Sequence, residues 1–396
     1  MKVLFTLSGW PTHFFMMTPL AWALRVAGHE VRIAAPPGCV GAVVGAGLPA
    51  VVVGDDIDFV ALQQQTLEHE APGHDRPGNP EELDEFMHRD GAAEVLGTWL
   101  DATFARTDEL VRFSRAWRPD LVVTDSGMCE GGIVAAHVIG VPAVRHLVTT
   151  DIMGSVHGDE LLEQMPDYRR RFEAYGLTPR SDPAQLTVDP CPPSMQPPPS
   201  PSRRQMRHVP YNGPGALPAW ALEAPVRPRV AVSWGTMTAR TTGPSRFAVP
   251  RVLEALSVLD VEVVLTIARG QRDLLGALPA NVRLLEHFPL HQLMPTTSVM
   301  VHQGGASSVL TAAAHGVPQL HIPFLSQQID DSAAHVSTGA GRSLHVDEAD
   351  VESIRREVVA LLDEPAHRAA AARLRREIDA QPTPVEIAGL LTQLAS

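Results

Sequence analysis

Short continuous apolar runs separated by helix-length segments set the rhythm of the chain. Val3 to Leu7 predicts a strand, Ser8 to Thr12 a Gly/Pro loop, and the segment running to Ala27 a helix with Gly28 in the stop position. Val31 to Ala35 predicts a second strand, ended by Pro36-Pro37. Because these runs do not alternate, both faces of each strand are expected to be covered, as in a parallel sheet layered by helices. Further strands are predicted at Val51-Val52-Val53, Leu121-Val122-Val123 and Val141-Pro142-Ala143-Val144. Between Asp55 and Asp90 the rhythm gives way to a polar stretch with Pro, Gly and His, read as a binding loop or lid, or as a plain surface loop.

From Asp189 to Pro218, ten of thirty residues are proline. Such a stretch predicts a stiff extended connector, unable to form a helix interior or a central strand. Beyond it the rhythm restarts: a strand at Val230 to Ser233, a helix through Val252, Leu253 and Leu256, then strands at Val261 to Thr266, Val299 to Val301 and Gln319 to Pro323. The chain therefore reads as α/β, with two Rossmann-like domains facing a central cleft at the carboxyl ends of their sheets. The expected division is 1–208, with a linker at about 189–222, then 223–380, then 381–396.

Composition narrows the chemistry. The 396 residues carry 32 basic and 45 acidic side chains, a net charge of −13, and Lys2 is the single lysine. A GxxxxGK[ST] phosphate loop and a pyridoxal Schiff base both need a lysine, so both classes are excluded. An acidic chain with scattered arginines also lacks the basic stripe of a nucleic-acid binder. No apolar run approaches a membrane span, and the first apolar run is too short for a signal-peptide core. Cys39, Cys129 and Cys191 are odd in number and far apart, which fits a reducing compartment and predicts neither a disulfide framework nor a zinc ribbon. A cytoplasmic location is expected.

The most informative segment is Val301-His302-Gln303-Gly304-Gly305-Ala306-Ser307-Ser308, followed by a helix-forming run. Two glycines directly after a strand predict a helix whose first N–H groups bind phosphate, with His302 as an added donor. A tight βα turn without ligand is the alternative. A second loop of this kind, Ser233-Trp234-Gly235-Thr236, follows the first strand of the C-terminal half, and two such loops point to a diphosphate. Neither half shows the G-x-G-x-x-G dinucleotide fingerprint, which disfavours a nicotinamide enzyme. In the N-terminal half, His13 opens the first helix and Asp125 ends a strand on the same sheet edge. An imidazole there suits a general base near neutral pH, with Asp125 fixing its tautomer. A helix-capping or core histidine is the plain alternative. His69 and His74 lack metal-ligand spacing, and Glu81-Glu82 and Arg355 to Arg376 read as solvated helix faces.

On these residues the chain resembles GT-B glycosyltransferases of family 1, of the actinobacterial antibiotic (polyketide) type. The resemblance spans nearly the whole chain. It rests on the loop ending in His13, Val209-Pro210-Tyr211-Asn212-Gly213, Pro289-Leu290-His291-Gln292-Leu293, His302-Gln303-Gly304-Gly305 and Gly316-Val317-Pro318-Gln319-Leu320. The strings Asp189-Pro190-Cys191-Pro192-Pro193-Ser194 and Gly215-Ala216-Leu217-Pro218-Ala219-Trp220 are similar to those of a rhamnosyltransferase in that family. The resemblance implies an acceptor-binding N-terminal domain, a nucleotide-sugar-binding C-terminal domain and a C-terminal helix that crosses back to the first domain. It implies His13 as base and Asp125 as its aid. Gly235, Thr236, His302, Gly304, Gly305, Ala306 and Ser307 would hold the donor diphosphate, Phe288 and Leu290 the base, largely through backbone groups, and Gln327 and Gln328 the donor sugar. His287 stands where relatives often carry a large aromatic, Ser307-Ser308 where they carry Gly-Thr, and Gln327-Gln328 where they carry Asp-Gln.

The expected activity is inverting transfer of a deoxysugar from a nucleotide-diphosphate sugar, dTDP-linked, to a hydrophobic polyketide-type acceptor. The expected partners are a sugar nucleotide and an aglycone, with no nucleic acid, no membrane, no cofactor and no metal; a homodimer and a separate activator protein stay open. A sugar-nucleotide epimerase or hydrolase on the same fold, and a non-catalytic ligand-binding activator, are the rival readings.

Overall fold

The computed structural model describes residues 1–69, 92–126, 130–151, 166–179, 184–198, 200–235 and 246–396. Thr236, Cys129, His74, Glu81 and Glu82, the rest of the polar stretch after His69, and the side chain of His69 lie outside the described residues.

Two compact units are present. The first comprises Met1–Cys191, Pro197–Arg207 and Pro382–Ser396; the second comprises Pro192–Gln196 and His208–Gln381. In the first, the chain runs β1 (Lys2–Thr6), α1 (Pro11–Val26), β2 (Glu30–Ala35), α2 (Pro37–Gly45), β3 (Ala50–Val52), α3 (Phe59–His69), α4 (Ala92–Phe104), α5 (Thr107–Trp117), β4 (Leu121–Asp125), α6 (Glu130–Ile139), β5 (Ala143–His146), α7 (Pro166–Glu173), β6 (Leu186–Asp189) and β7 (Arg203–Gln205). All seven strands are parallel, in the order β3-β2-β1-β4-β5-β6-β7. The continuous apolar runs are buried on both faces: Val3, Leu4, Leu121, Val122 and Val123 have no exposed surface. Helix α1 starts with Pro11 in its first turn, where a missing N–H removes nothing the helix needs.

Two differences from the sequence reading concern the polar and proline-rich stretches. Phe59–His69, expected to be irregular, is helical and buries Phe59 and Leu62. Arg203–Gln205, inside the expected connector, is the edge strand of the sheet. An edge position tolerates flanking prolines, and the buried Arg203 guanidinium holds them by donating to the carbonyls of Pro197 and Pro198 at 2.6 and 2.8 Å.

The second unit contains β8 (Arg229–Ser233), α8 (Val249–Ser257), β9 (Glu262–Ile267), β10 (Val282–Glu286), β11 (Val299–His302), α9 (Ala306–Ala314), β12 (Gln319–His321), α10 (Ser326–Ser337), β13 (Gly341–Ser343), α11 (Val351–Asp363) and α12 (Pro365–Asp379). Its sheet is also all parallel, ordered β10-β9-β8-β11-β12-β13. The last helix, α13 (Pro384–Leu394), belongs to the first unit, where it packs on α1 and Thr392 Oγ lies 3.1 Å from His29 Nε2. Among the described residues no helix is long and apolar enough to cross a membrane.

Candidate functional site

The first group of candidate residues forms where β1 and β4 lie side by side. Thr6 is in register with Thr124, so the turn after β1 meets Asp125 at the end of β4. Asp125 is buried, and both its oxygens lie 3.1 Å from His13 Nδ1 in the first turn of α1. A carboxylate only accepts, so Nδ1 carries the proton, and in the neutral ring Nε2 keeps its lone pair. The His13 side chain is 27% exposed, so this pair combines a sequestered anion with an accessible ring.

Three residues that sequence reasoning passed over hold this pair. Ser8 Oγ donates to Asp125 Oδ2 at 2.5 Å. Buried Arg106 donates to the carbonyls of Leu7 (3.1 Å) and Ser8 (3.0 and 2.5 Å), anchoring the turn from which Ser8 reaches the carboxylate. Trp10 stacks beside the His13 ring, centroids 6.0 Å apart, and rests on Phe59 at 4.8 Å. Gly9 makes this possible: its φ of +129° is open to glycine alone, and a Cβ there would lie 2.8 Å from the Phe59 ring. Beside Asp125 in the sheet stands His146, whose pKa burial pushes down to about 4. That ring is neutral and donates through Nδ1 to the Leu147 carbonyl at 2.8 Å, so it adds no competing cation.

The second group gathers around the start of α9. Gly305 is the N-cap and no side chain caps the helix, so the N–H groups of Gly305, Ala306 and Ser307 are those a helix start leaves without intrahelical partners. Gly235 faces the same region through Gln303, another residue not singled out from sequence. A Cβ on Gly235 would lie 2.5 Å from Gln303 Nε2, and one on Gly305 would lie 3.1 Å from it, so this amide fits between the two loops. Asn212 of the Val209–Gly213 string ties the rest together: its Nδ2 donates to Ser307 Oγ at 3.0 Å and to Thr311 Oγ at 3.1 Å, and its Oδ1 accepts from His291 N at 2.8 Å.

Three expected roles change in this geometry. His302 was expected to donate to an oxyanion, but its ring is fully buried and both nitrogens are engaged within the protein. Nδ1 accepts from Gly304 N at 3.0 Å and Nε2 lies 2.9 Å from Gln319 Oε1. The Gly304 N–H is consequently spent on His302 and is not offered outward, although Gly304 itself shapes the turn. The Leu290 side chain, 6% exposed, packs in the core beside Met294 and Met300, which leaves its main chain for the base, whereas Phe288 is only partly buried. Gln328 uses its side-chain carbonyl to accept from Phe324 N and Leu325 N at 3.3 Å, capping α10, and Gln327 beside it is partly exposed. Among the described residues no group of three or more His, Cys, Asp or Glu could hold a metal ion.

Chemically, the first group can serve as a general base with a fixed tautomer, and the second is a helix start whose N–H groups and positive dipole end suit a phosphate oxyanion. Models of the erythromycin biosynthesis protein CIII-like family match the chain over residues 22–235 for the N-terminal domain and 250–394 for the C-terminal domain. Aklavinone 7-beta-L-rhodosaminyltransferase of Streptomyces galilaeus is 36% identical over 100% of this chain and 96% of its own length. 10-Deoxymethynolide desosaminyltransferase of Streptomyces venezuelae is 34% identical over 100% and 97%. Among solved structures, glycosyltransferase VinC in complex with dTDP superposes with a TM-score of 0.81 at 31% identity, covering 100% of this chain and 99% of that one. Spinosyn rhamnosyltransferase SpnG complexed with spinosyn aglycone does so at 0.80 and 29%, covering 100% of both chains.

Proposed function

The chain belongs to the erythromycin biosynthesis protein CIII-like family of antibiotic glycosyltransferases, and from that premise we infer that it transfers a deoxysugar from a dTDP-sugar to a hydrophobic polyketide-type acceptor with inversion. The observation that carries the reading is the His13–Asp125 pair, which leaves a lone pair on the accessible imidazole. His13 Nε2 removes the acceptor hydroxyl proton, while Asp125 keeps Nδ1 protonated and stabilises the imidazolium that forms. The acceptor oxygen attacks the anomeric carbon from the face opposite the diphosphate. The new C–O bond forms as the bond to the diphosphate oxygen breaks, and the electron pair leaves with the nucleotide.

That departing charge falls to the N–H groups of Gly305, Ala306 and Ser307, the Ser307 hydroxyl and the Gly235-Thr236 loop. One preorganised donor of this kind contributes about 3 kcal/mol to the transition state, so several suffice without a metal or cofactor. Phe288 and the main chain around Leu290 receive the base. Gln327 and Gln328 meet the sugar with amides rather than a carboxylate, and Gln328 has already committed its carbonyl to α10. A site so poor in acceptors suits a sugar that has lost or aminated some hydroxyls. The relatives named for rhodosaminyl and desosaminyl transfer support a sugar of that kind, and the VinC complex supports dTDP.

A panel of nucleotide sugars incubated with an aglycone library and read by mass spectrometry tests this. Glycosylated aglycone from a dTDP-deoxysugar is expected; donor consumption that proceeds equally without any acceptor would contradict it and favour a hydrolase or epimerase.

A further inference from the structure

Behind the turn at Gly304 lies a chain of buried polar side chains. Gly304 N donates to His302 Nδ1, and His302 Nε2 meets Gln319 Oε1. Gln319 Nε2 lies 3.1 Å from the Val309 carbonyl and 3.0 Å from His335 Nε2, and His335 Nδ1 lies 2.9 Å from His321 Nε2. His302, Gln319, His321 and His335 are all fully buried. Burial holds the His302 pKa near 4, that of His335 near 3 and that of His321 well below the usual value, so the rings are neutral.

The direction of every hydrogen bond follows from two backbone groups. Gly304 N–H can only donate, which makes His302 Nδ1 an acceptor and places its proton on Nε2, pointing to Gln319 Oε1. Val309 C=O can only accept, which places the Gln319 amide nitrogen on that side and makes it the donor to His335 Nε2. His335 then carries its proton on Nδ1 and gives it to His321 Nε2, so His321 is protonated on Nδ1. That last N–H finds no partner among the described residues. Apolar side chains would fill this space at lower cost than three desolvated imidazoles ending in an unmet donor. Stability therefore does not account for the arrangement, whereas its other end, the Gly304 N–H, lies in the turn that begins α9.

We propose that Gln319 and His335 are positioning residues for the donor diphosphate. Acting through His302, they fix one tautomer, hold the Gly304 N–H inward and so set the turn from which Gly305, Ala306 and Ser307 present their N–H groups. The turn is packed from beneath as well: Gly304 sits at φ +88°, and a Cβ there would lie 2.7 Å from Ser332 Oγ and 3.2 Å from the main-chain carbonyl of Gln328. With no slack on that side, a change in the His302 ring transmits to the helix start. The proposal rests on the reading of that helix start as the diphosphate site.

Calorimetry with dTDP on the wild type, on His335→Leu and on His335→Gln, together with steady-state kinetics, separates the two. Wild type is expected to bind dTDP. His335→Leu should weaken that binding and raise the donor KM at least tenfold while the acceptor KM stays within twofold. His335→Gln, which keeps an acceptor and a donor, should recover most of the loss. A wild type that does not bind dTDP would overturn the diphosphate reading and this proposal with it; wild-type binding matched by folded His335→Leu would overturn this proposal alone. Nitrogen-15 NMR of the wild-type imidazoles needs no variant. It should show Nε2–H on His302 and Nδ1–H on His335 and His321, and a His302 protonated on Nδ1 at neutral pH would also overturn the proposal.

Discussion

Ser8 Oγ donates to Asp125 Oδ2 at 2.5 Å, so the carboxylate that fixes the His13 tautomer is itself fixed by the turn preceding α1. A hydrogen bond to a charged group is worth roughly 1.5–3 kcal/mol. Ser8→Ala should therefore lower kcat by about ten- to a hundredfold and leave dTDP affinity unchanged, as steady-state kinetics and calorimetry would show. Unchanged kcat would show that Ser8 does not support the His13–Asp125 pair.

Asp125→Asn tests the carboxylate itself. The amide keeps the shape but can present its NH₂ to Nδ1, which favours the wrong tautomer; the comparable change in a Ser-His-Asp triad lowers kcat about 10⁴-fold. A loss of at least about 10²-fold in single-turnover transfer is expected, with the fold retained by circular dichroism.

The alternation of buried strands and helices was legible because parallel strands covered on both faces are continuous apolar runs, as in Leu121–Val123 and Val299–Val301. The His13–Asp125 pairing was legible too, since both residues sit where strands end on one sheet edge. The role of His302 was not: its partners are a backbone N–H two residues on and an amide in the neighbouring strand, and nothing local marks either nitrogen as engaged. Edge strand Arg203–Gln205 was hidden because three polar residues among prolines carry no strand signal; a buried arginine collecting proline carbonyls holds it in place.

Acid should destabilise the protein over a defined window. His146 and His302 stay neutral in the folded chain down to about pH 4, and His335 to about pH 3, whereas unfolded imidazoles take up protons below about 6.5. The unfolded state then binds more protons, so stability present above pH 6.5 is lost as pH falls toward 4, at about 1 kcal/mol per pH unit for each ring. Urea midpoints should drop steeply between pH 6.5 and 4.5, and less steeply in a folded His335→Gln variant. A flat profile would mean that these rings take up protons as readily in the folded state as in the unfolded one.

Donor choice gives a prediction at Gln327. Turnover with a dTDP-deoxysugar should exceed that with dTDP-glucose by at least about tenfold, the scale of one or two hydrogen bonds to sugar hydroxyls. Gln327→Asp should narrow that ratio by restoring a charged acceptor. Comparable turnover of both donors by the wild type would count against a deoxygenated sugar.

In the proposed mechanism His13 is the base that activates the acceptor hydroxyl, and His13→Ala isolates that role. With an accepted aglycone and dTDP-sugar, the variant should lose about 10²–10⁴-fold in kcat, the usual share of a general base, while its dTDP dissociation constant stays within twofold of the wild type. Transfer to the hydroxyl at close to the wild-type rate would rule out His13 as the base.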